Sequence, residues 1–285
     1  MKKFFLAVLF ISGLFWSGCN ELPPIEIPIS SAETTTSLEA LSEIISTFDI
    51  VEDMVSRSDL FQKKDDSFLP SNVIIYFTDT SFLDGDGVEA MMDFGELGDA
   101  PHGVLCKDQK YRAGRIWLNL NKPYDENDAR LNIVLSDEQP FYTGDGQDMA
   151  ELKGMLSLTR ASDSELLLHC SDLTYTKEDE EYNFKSTLSI SHIKDQGEGL
   201  VNDQVEYAGD ITVCQDTDTV YLTTDIPLHK DYGLDCAKHI VEGNINAELS
   251  SNNAEISIDF DPYSDGACDN KVRITINGKS TIQEF

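Results

Sequence analysis

The run Asp84-Gly85-Asp86-Gly87-Val88-Glu89 sets three carboxylates on a glycine turn. Hard oxygen ligands on such a turn suit calcium. The run lacks the complete calcium-loop pattern, so a solvated hairpin turn is the plainer reading and Asp84, Asp86 and Glu89 are weak candidates. Asp259, Asp261, Asp265 and Asp269 form a second acidic loop. Paired carboxylates also serve glycosidases, yet among 52 acidic residues chance pairs are expected. His169 beside Cys170 invites a Cys-His dyad. Neighbours in a strand point to opposite faces, however, so the two would not meet. The five histidines show no HExxH, no GxSxG elbow is present, and no cysteine pair is spaced CxxC. The sequence therefore offers no catalytic residue, metal or cofactor to name.

The most specific chemistry lies at Cys19. Lys2 and Lys3 precede an apolar run from Phe4 to Trp16, broken only by Ser12 and Gly13. Ser17 and Gly18 then lead to the cysteine. This pattern reads as a bacterial export signal ending in a lipoprotein box. Trp16 stands where an aliphatic residue is usual, which leaves plain secretion or an uncleaved anchor as rivals. The stretch after Cys19 carries Pro23, Pro24, Pro28 and a Ser/Thr run, a composition that makes an extended, solvated tether. Several acyl chains on one cysteine anchor stably where a single chain does not. The expected partner is thus the membrane, through lipid on Cys19. Asn20 is not the aspartate that retains some lipoproteins at the inner membrane, which points to the outer one.

With Cys19 given to lipid, Cys106, Cys170, Cys214, Cys236 and Cys268 remain, an odd number in a compartment that permits disulfides. Cys236 opens the strand around HIVEGNINAEL. That strand turns near residues 250–253 and returns as AEISIDF, so Cys268 arrives back at the end where Cys236 began. A Cys236–Cys268 disulfide is expected on that geometry. Cys170 with Cys214 is a second, weaker pairing, and Cys106 is the candidate odd thiol.

The elements that must position these residues are mostly strands. Apolar residues at Leu38, Leu41, Ile44, Ile45, Phe48, Val51 and Val55 mark one buried helical face. Thr36 and Glu39 have capping-box spacing, which starts that helix at 36. From residue 70 the pattern alternates with period two, as in Ser186, Leu188 and Ile190, and is punctuated by turns such as Gly144-Asp145-Gly146 and Asn277-Gly278. About a dozen antiparallel strands are expected, sandwich- or meander-like. An internal echo runs from Asp93-Phe94 to Cys106 and again from Asp259-Phe260 to Cys268, which suggests two similar β units. The expected order is a signal at 1–18, a lipidated tether at 19–35, an amphipathic helix at 36–57, and β units at 70–160 and 161–285. The whole is all-β with one N-terminal helix.

A formal charge of −31 excludes nucleic acid, whose phosphates demand lysine and arginine. It also opposes direct contact with anionic lipid head groups, and it suits solubility or a basic partner.

The C-terminal residues resemble a family of uncharacterised Bacteroidota lipoproteins. The resemblance rests on Pro227-Leu228, Cys236 followed by Gly243, Asp259-Phe260, Gly266-Ala267-Cys268-Asp269-Asn270 and Asn277-Gly278. Asp93-Phe94-Gly95, Cys106 and Arg112-Ala113-Gly114-Arg115-Ile116 extend it, so that it covers residues 36–285. The loop from Glu96 to Gly103 is longer than the family's pattern. The resemblance implies an envelope location and a β fold, and it supplies no activity. The expected function is a non-enzymatic, membrane-anchored binding or structural module with an unknown protein or glycan partner. The alternative is an extracytoplasmic hydrolase acting on glycans.

Overall fold

The computed structural model describes residues 30–284, apart from 58, 62–66, 163, 195, 196, 198, 217, 234, 235, 252 and 253. The expected signal, Cys19 and most of the tether lie outside the described residues. Among the described residues one helix, α1 (Ser30–Val55), precedes fifteen strands in a single antiparallel sheet. The strands are β1 (Ile74–Asp79), β2 (Val88–Asp93), β3 (Val104–Leu105), β4 (Tyr111–Leu120), β5 (Arg130–Leu135), β6 (Phe141–Gly144), β7 (Met149–Arg160) and β8 (Glu165–Lys177). They continue as β9 (Glu180–Lys194), β10 (Gln204–Gln215), β11 (Asp218–Asp231), β12 (Glu242–Leu249), β13 (Ile256–Asp259), β14 (Lys271–Ile276) and β15 (Lys279–Glu284).

The sheet is a meander in which chain order is spatial order. The short strands fit this rule as interrupted ones. β3 pairs the start of β4 and β2 the rest. β6 and β5 likewise divide β4 on one side and β7 on the other. The expected boundary at 160/161 falls in the hairpin joining β7 to β8, which share a ladder from Glu151↔Thr176 to Arg160↔Leu166.

The internal echo is geometric. In the β2–β4 hairpin Asp93 faces Arg115, and Arg115 Nε donates to Asp93 Oδ2 at 2.9 Å. In the β13–β14 hairpin Asp259 faces Arg273, and Arg273 donates to Asp259 Oδ2 at 2.9 Å.

The sheet curls around α1. From Ile44 to Val55 every helix residue is buried, including Ser46, Thr47, Asp49, Glu52 and Asp53. The apolar periodicity predicts one buried face, and the structure buries both, because strands from β4 round to β15 touch the helix. The helix also begins at Ser30 and not at 36, so Thr36 and Glu39 are interior positions rather than a cap. Its early turn is covered by the sheet, with Thr34 and Ser37 buried. This corrects the tether and helix bounds of 19–35 and 36–57.

Curling needs bends within strands. Gly154 and Gly209 sit mid-strand at φ +119° and +149°, each beside a register shift. A Cβ at Gly154 would overlap the carbonyl oxygen of Asp172, and one at Gly209 that of Thr187. Only glycine lets the adjacent strand approach so closely there.

Candidate functional site

The buried helix carries a ladder of carboxylates, each met by different strands or loops. Glu43 accepts Lys110 Nζ at 2.6 Å and the Thr143 hydroxyl at 2.7 Å. Asp49 accepts Lys230 Nζ at 2.6 Å and the hydroxyls of Tyr232 and Tyr207. Glu52 accepts the Tyr124 hydroxyl at 2.7 Å and lies 3.1 Å from His192 Nε2. Asp53 accepts Arg57 at 2.9 Å and the backbone N–H of Phe68 and Leu200. Arg112 makes a two-pronged bond to Asp108 and also donates to the Ser46 carbonyl on the helix. Burial, then the nearby carboxylates, push the Tyr124, Tyr207 and Tyr232 hydroxyls far above their ordinary range. These groups are the polar part of a mainly apolar core. Sequence reading missed them because the acids of α1 look like a solvated face.

A cavity of about 410 Å³ opens beside the earlier turns of the helix. Its floor is Glu39, Ser42 and Glu43 on α1 with Tyr175 on β8. One wall is the β6–β7 turn with Asp145 and Asp148, and the other is Lys238, His239 and Asn270 beside the disulfide. Lys110 and Lys177 line it too, but Glu43 and Glu39 engage them at 2.6 Å and 2.8 Å. Lys238 and His239 form no ion pair among the described residues, and Tyr175 is buried beneath them. Burial, then Lys238, holds the His239 ring below its usual pKa, so near neutral pH it is an uncharged donor and acceptor. Such a hollow can hold a small polar ligand by hydrogen bonds.

Among the described residues the cysteines divide as one pair and three thiols. Cys236 and Cys268 form a disulfide with Cα atoms 5.0 Å apart, as the strand geometry predicts. Cys170 and Cys214 do not pair: Cys170 is on β8, Cys214 on β10, and β9 runs between them. Cys106 is a buried free thiol, so that three thiols stand free where one odd thiol is expected. Burial pushes Cys106 up to about 11 and Cys170 up to about 12, so neither is a thiolate nucleophile near neutral pH. Cys170 is buried while its neighbour His169 is exposed on the opposite face, as strand alternation requires.

The acidic turns behave differently from one another. Asp79, not Glu89, joins Asp84 and Asp86 in a cluster whose oxygens lie within 4.8 Å of one another. Glu89 instead accepts the Thr78 hydroxyl at 3.1 Å. It faces Asp79 across the β1–β2 ladder, past a bulge, which displaces it from the turn. In the second loop Asp259 holds Arg273, Asp269 holds Lys271, and Asp261 accepts the N–H groups of Asp265 and Gly266. That loop is a self-bonded turn.

Comparison with protein-family models, characterised proteins and solved structures returns no match for this chain. Among the described residues no helix is long and apolar enough to cross a membrane.

Proposed function

We propose that the chain is an extracytoplasmic lipoprotein of the Bacteroidota kind, held to the outer membrane by lipid on Cys19. In this reading it is a non-enzymatic binding or structural module. The observation that carries the reading is the Cys236–Cys268 disulfide, a bond that forms and persists in oxidising compartments outside the cytoplasm. The gripped helix supports it. The expected tether precedes α1 in the sequence, and α1 is fixed to the sheet by Glu39–Lys177, Glu43–Lys110 and Asp49–Lys230. A pull on the anchor is thus borne by the core. The alternative, a glycan hydrolase, needs a carboxyl raised toward neutrality to act as acid. Glu43 in the cavity does not suit that role, because Lys110 and Thr143 outweigh burial and hold it low.

Cell fractionation tests the reading. The native chain should sediment with envelope membranes, and Cys19→Ser should release it into the soluble fraction. A Cys19→Ser chain that stays with the membranes contradicts it.

A further inference from the structure

Among the described residues the sheet's path runs from β1 to β15, and these two end strands are built differently. β15 reads KSTIQE, with Lys279 at its start, and Gln283 accepts a hydrogen bond from Thr35 of α1. Lysine and polar side chains are the usual guards of an edge. β1 reads IIYFTD, without lysine or proline, and among the described residues it pairs only with β2. Ile74, Tyr76 and Phe77 are 49%, 46% and 41% exposed along it.

The ladders show that Tyr76 is the end of a row. Tyr76 faces Met91, Met91 faces Trp117, Trp117 faces Val134, and Val134 faces Met155. All five share the outer side of the sheet, since their strand neighbours Ala90, Met92, Ile116, Leu118, Ile133 and Leu156 are buried; Met91 is itself buried and Trp117 half-buried, so the row is open at Tyr76, Val134 and Met155. At ~4.8 Å per strand the row is about 19 Å long. Polar rows border it. Asp93 and Arg115 run along one side, and Glu89, Asn119, Asn132 and Ser157 along the other. An apolar stripe with a polar rim, rich in Tyr, Trp and Met, is the composition of a protein interface.

Charge identifies the occupant. At the far end of β1, Asp79, Asp84 and Asp86 converge, and Glu89 faces Asp79 across the ladder. None of the four is ion-paired among the described residues. Asp84 raises the Asp86 carboxyl, the mark of like charges held together. A second copy would bring the same unpaired acids and another −31 charges.

We propose that β1 is a docking edge for an extended segment of a basic partner protein, which adds as the next strand, continues the Tyr76–Trp117 row with an apolar side chain, and sets a lysine or arginine beside Asp79, Asp84 and Asp86. Main-chain bonds give such strand addition its affinity, and the alternate side chains give it specificity. The proposal deepens the binding-module reading and rests on it for the existence of a partner, while the lipid anchor is independent of it.

The probe is a fluorescein-labelled heptapeptide, Lys-Thr-Val-Thr-Val-Thr-Lys, acetylated and amidated, titrated by anisotropy against the full mature chain. Lysine at both ends lets either strand direction place one beside Asp79. Saturable binding is expected, weaker by about tenfold or more when both lysines become aspartate or the central threonine becomes proline. The double variant Ile74→Lys, Tyr76→Lys should lose binding by at least about tenfold. It should unfold at the native urea midpoint, since both side chains are exposed. Absence of saturable binding, equal binding of the aspartate peptide, or a native dimer that the double variant dissociates would each overturn the proposal. Membrane release of Cys19→Ser reads the anchor separately, so either idea can fail alone.

Discussion

Lys230 of β11 places its ammonium 2.6 Å from Asp49 in the C-terminal half of α1, with both side chains almost wholly out of solvent. Tyr207 and Tyr232 complete the carboxylate's partners, and the Lys230 ammonium also lies 5.0 Å from the centre of the Tyr232 ring. Removing one member of such a pair strands a buried charge, which typically costs about 3–5 kcal/mol. Lys230→Met is expected to lower unfolding free energy in urea by that amount. Asp49→Leu combined with Lys230→Met should recover most of the loss. A single variant as stable as the native chain would mean the pair does not secure the helix.

Acid should loosen the helix at its Glu43 and Asp108 contacts. Burial alone would raise both carboxyls, but Lys110 acting on Glu43 and Arg112 acting on Asp108 outweigh it and hold both below 4.5 and 3.8. A carboxyl depressed in the folded state contributes fully above its unfolded pKa, and that contribution is lost as pH falls through the folded one. Asp53 works the other way: burial raises it despite Arg57, so its protonation favours the fold. Net stability should therefore fall as pH drops below about 4.5. Urea titrations at about pH 6 and about pH 3 should show a smaller loss for Glu43→Gln than for the native chain. Equal losses would remove Glu43 from the account.

The disulfide closes a sequence separation of 32 residues. Loop entropy makes that worth roughly 3–4 kcal/mol. Replacing Cys236 and Cys268 with serine should lower stability by about this much, while Cys214→Ser should have little effect. A double serine variant with an unchanged urea midpoint would show that the bond does not constrain the unfolded chain.

The two strand bends give a sharp steric expectation. Gly154→Ala and Gly209→Ala each force a Cβ onto the carbonyl of the next strand at positive φ. Each should cost about 2–3 kcal/mol. Gly85→Ala, with open space around it, should cost less. Equal effects at all three sites would contradict the bend assignment.

Much of this architecture is legible in the sequence because period-two alternation survives wherever one sheet face is buried. β9, β12 and β14 show it plainly, and the Cys236–Cys268 pairing follows from counting strand ends. β7 is not legible in this way. Its sequence MAELKGMLSLTR mixes helix formers with a mid-strand glycine, and its two halves pair different strands. The α1 acids were equally opaque. Nothing local in IISTFDIVED distinguishes a solvated face from one enclosed by a sheet, and the partners Lys110, Arg112, His192 and Lys230 are distant in the chain. The Tyr76–Met155 row was hidden for a similar reason, since it exists only across strands.

The central claim is an anchored lipoprotein, and the mass of the mature N-terminal peptide tests it most directly. Protein purified with detergent from its native envelope should yield a first residue of Cys19 carrying diacylglyceryl and acyl groups. A mature chain beginning at Asn20, or an unmodified Cys19 thiol, would contradict the account.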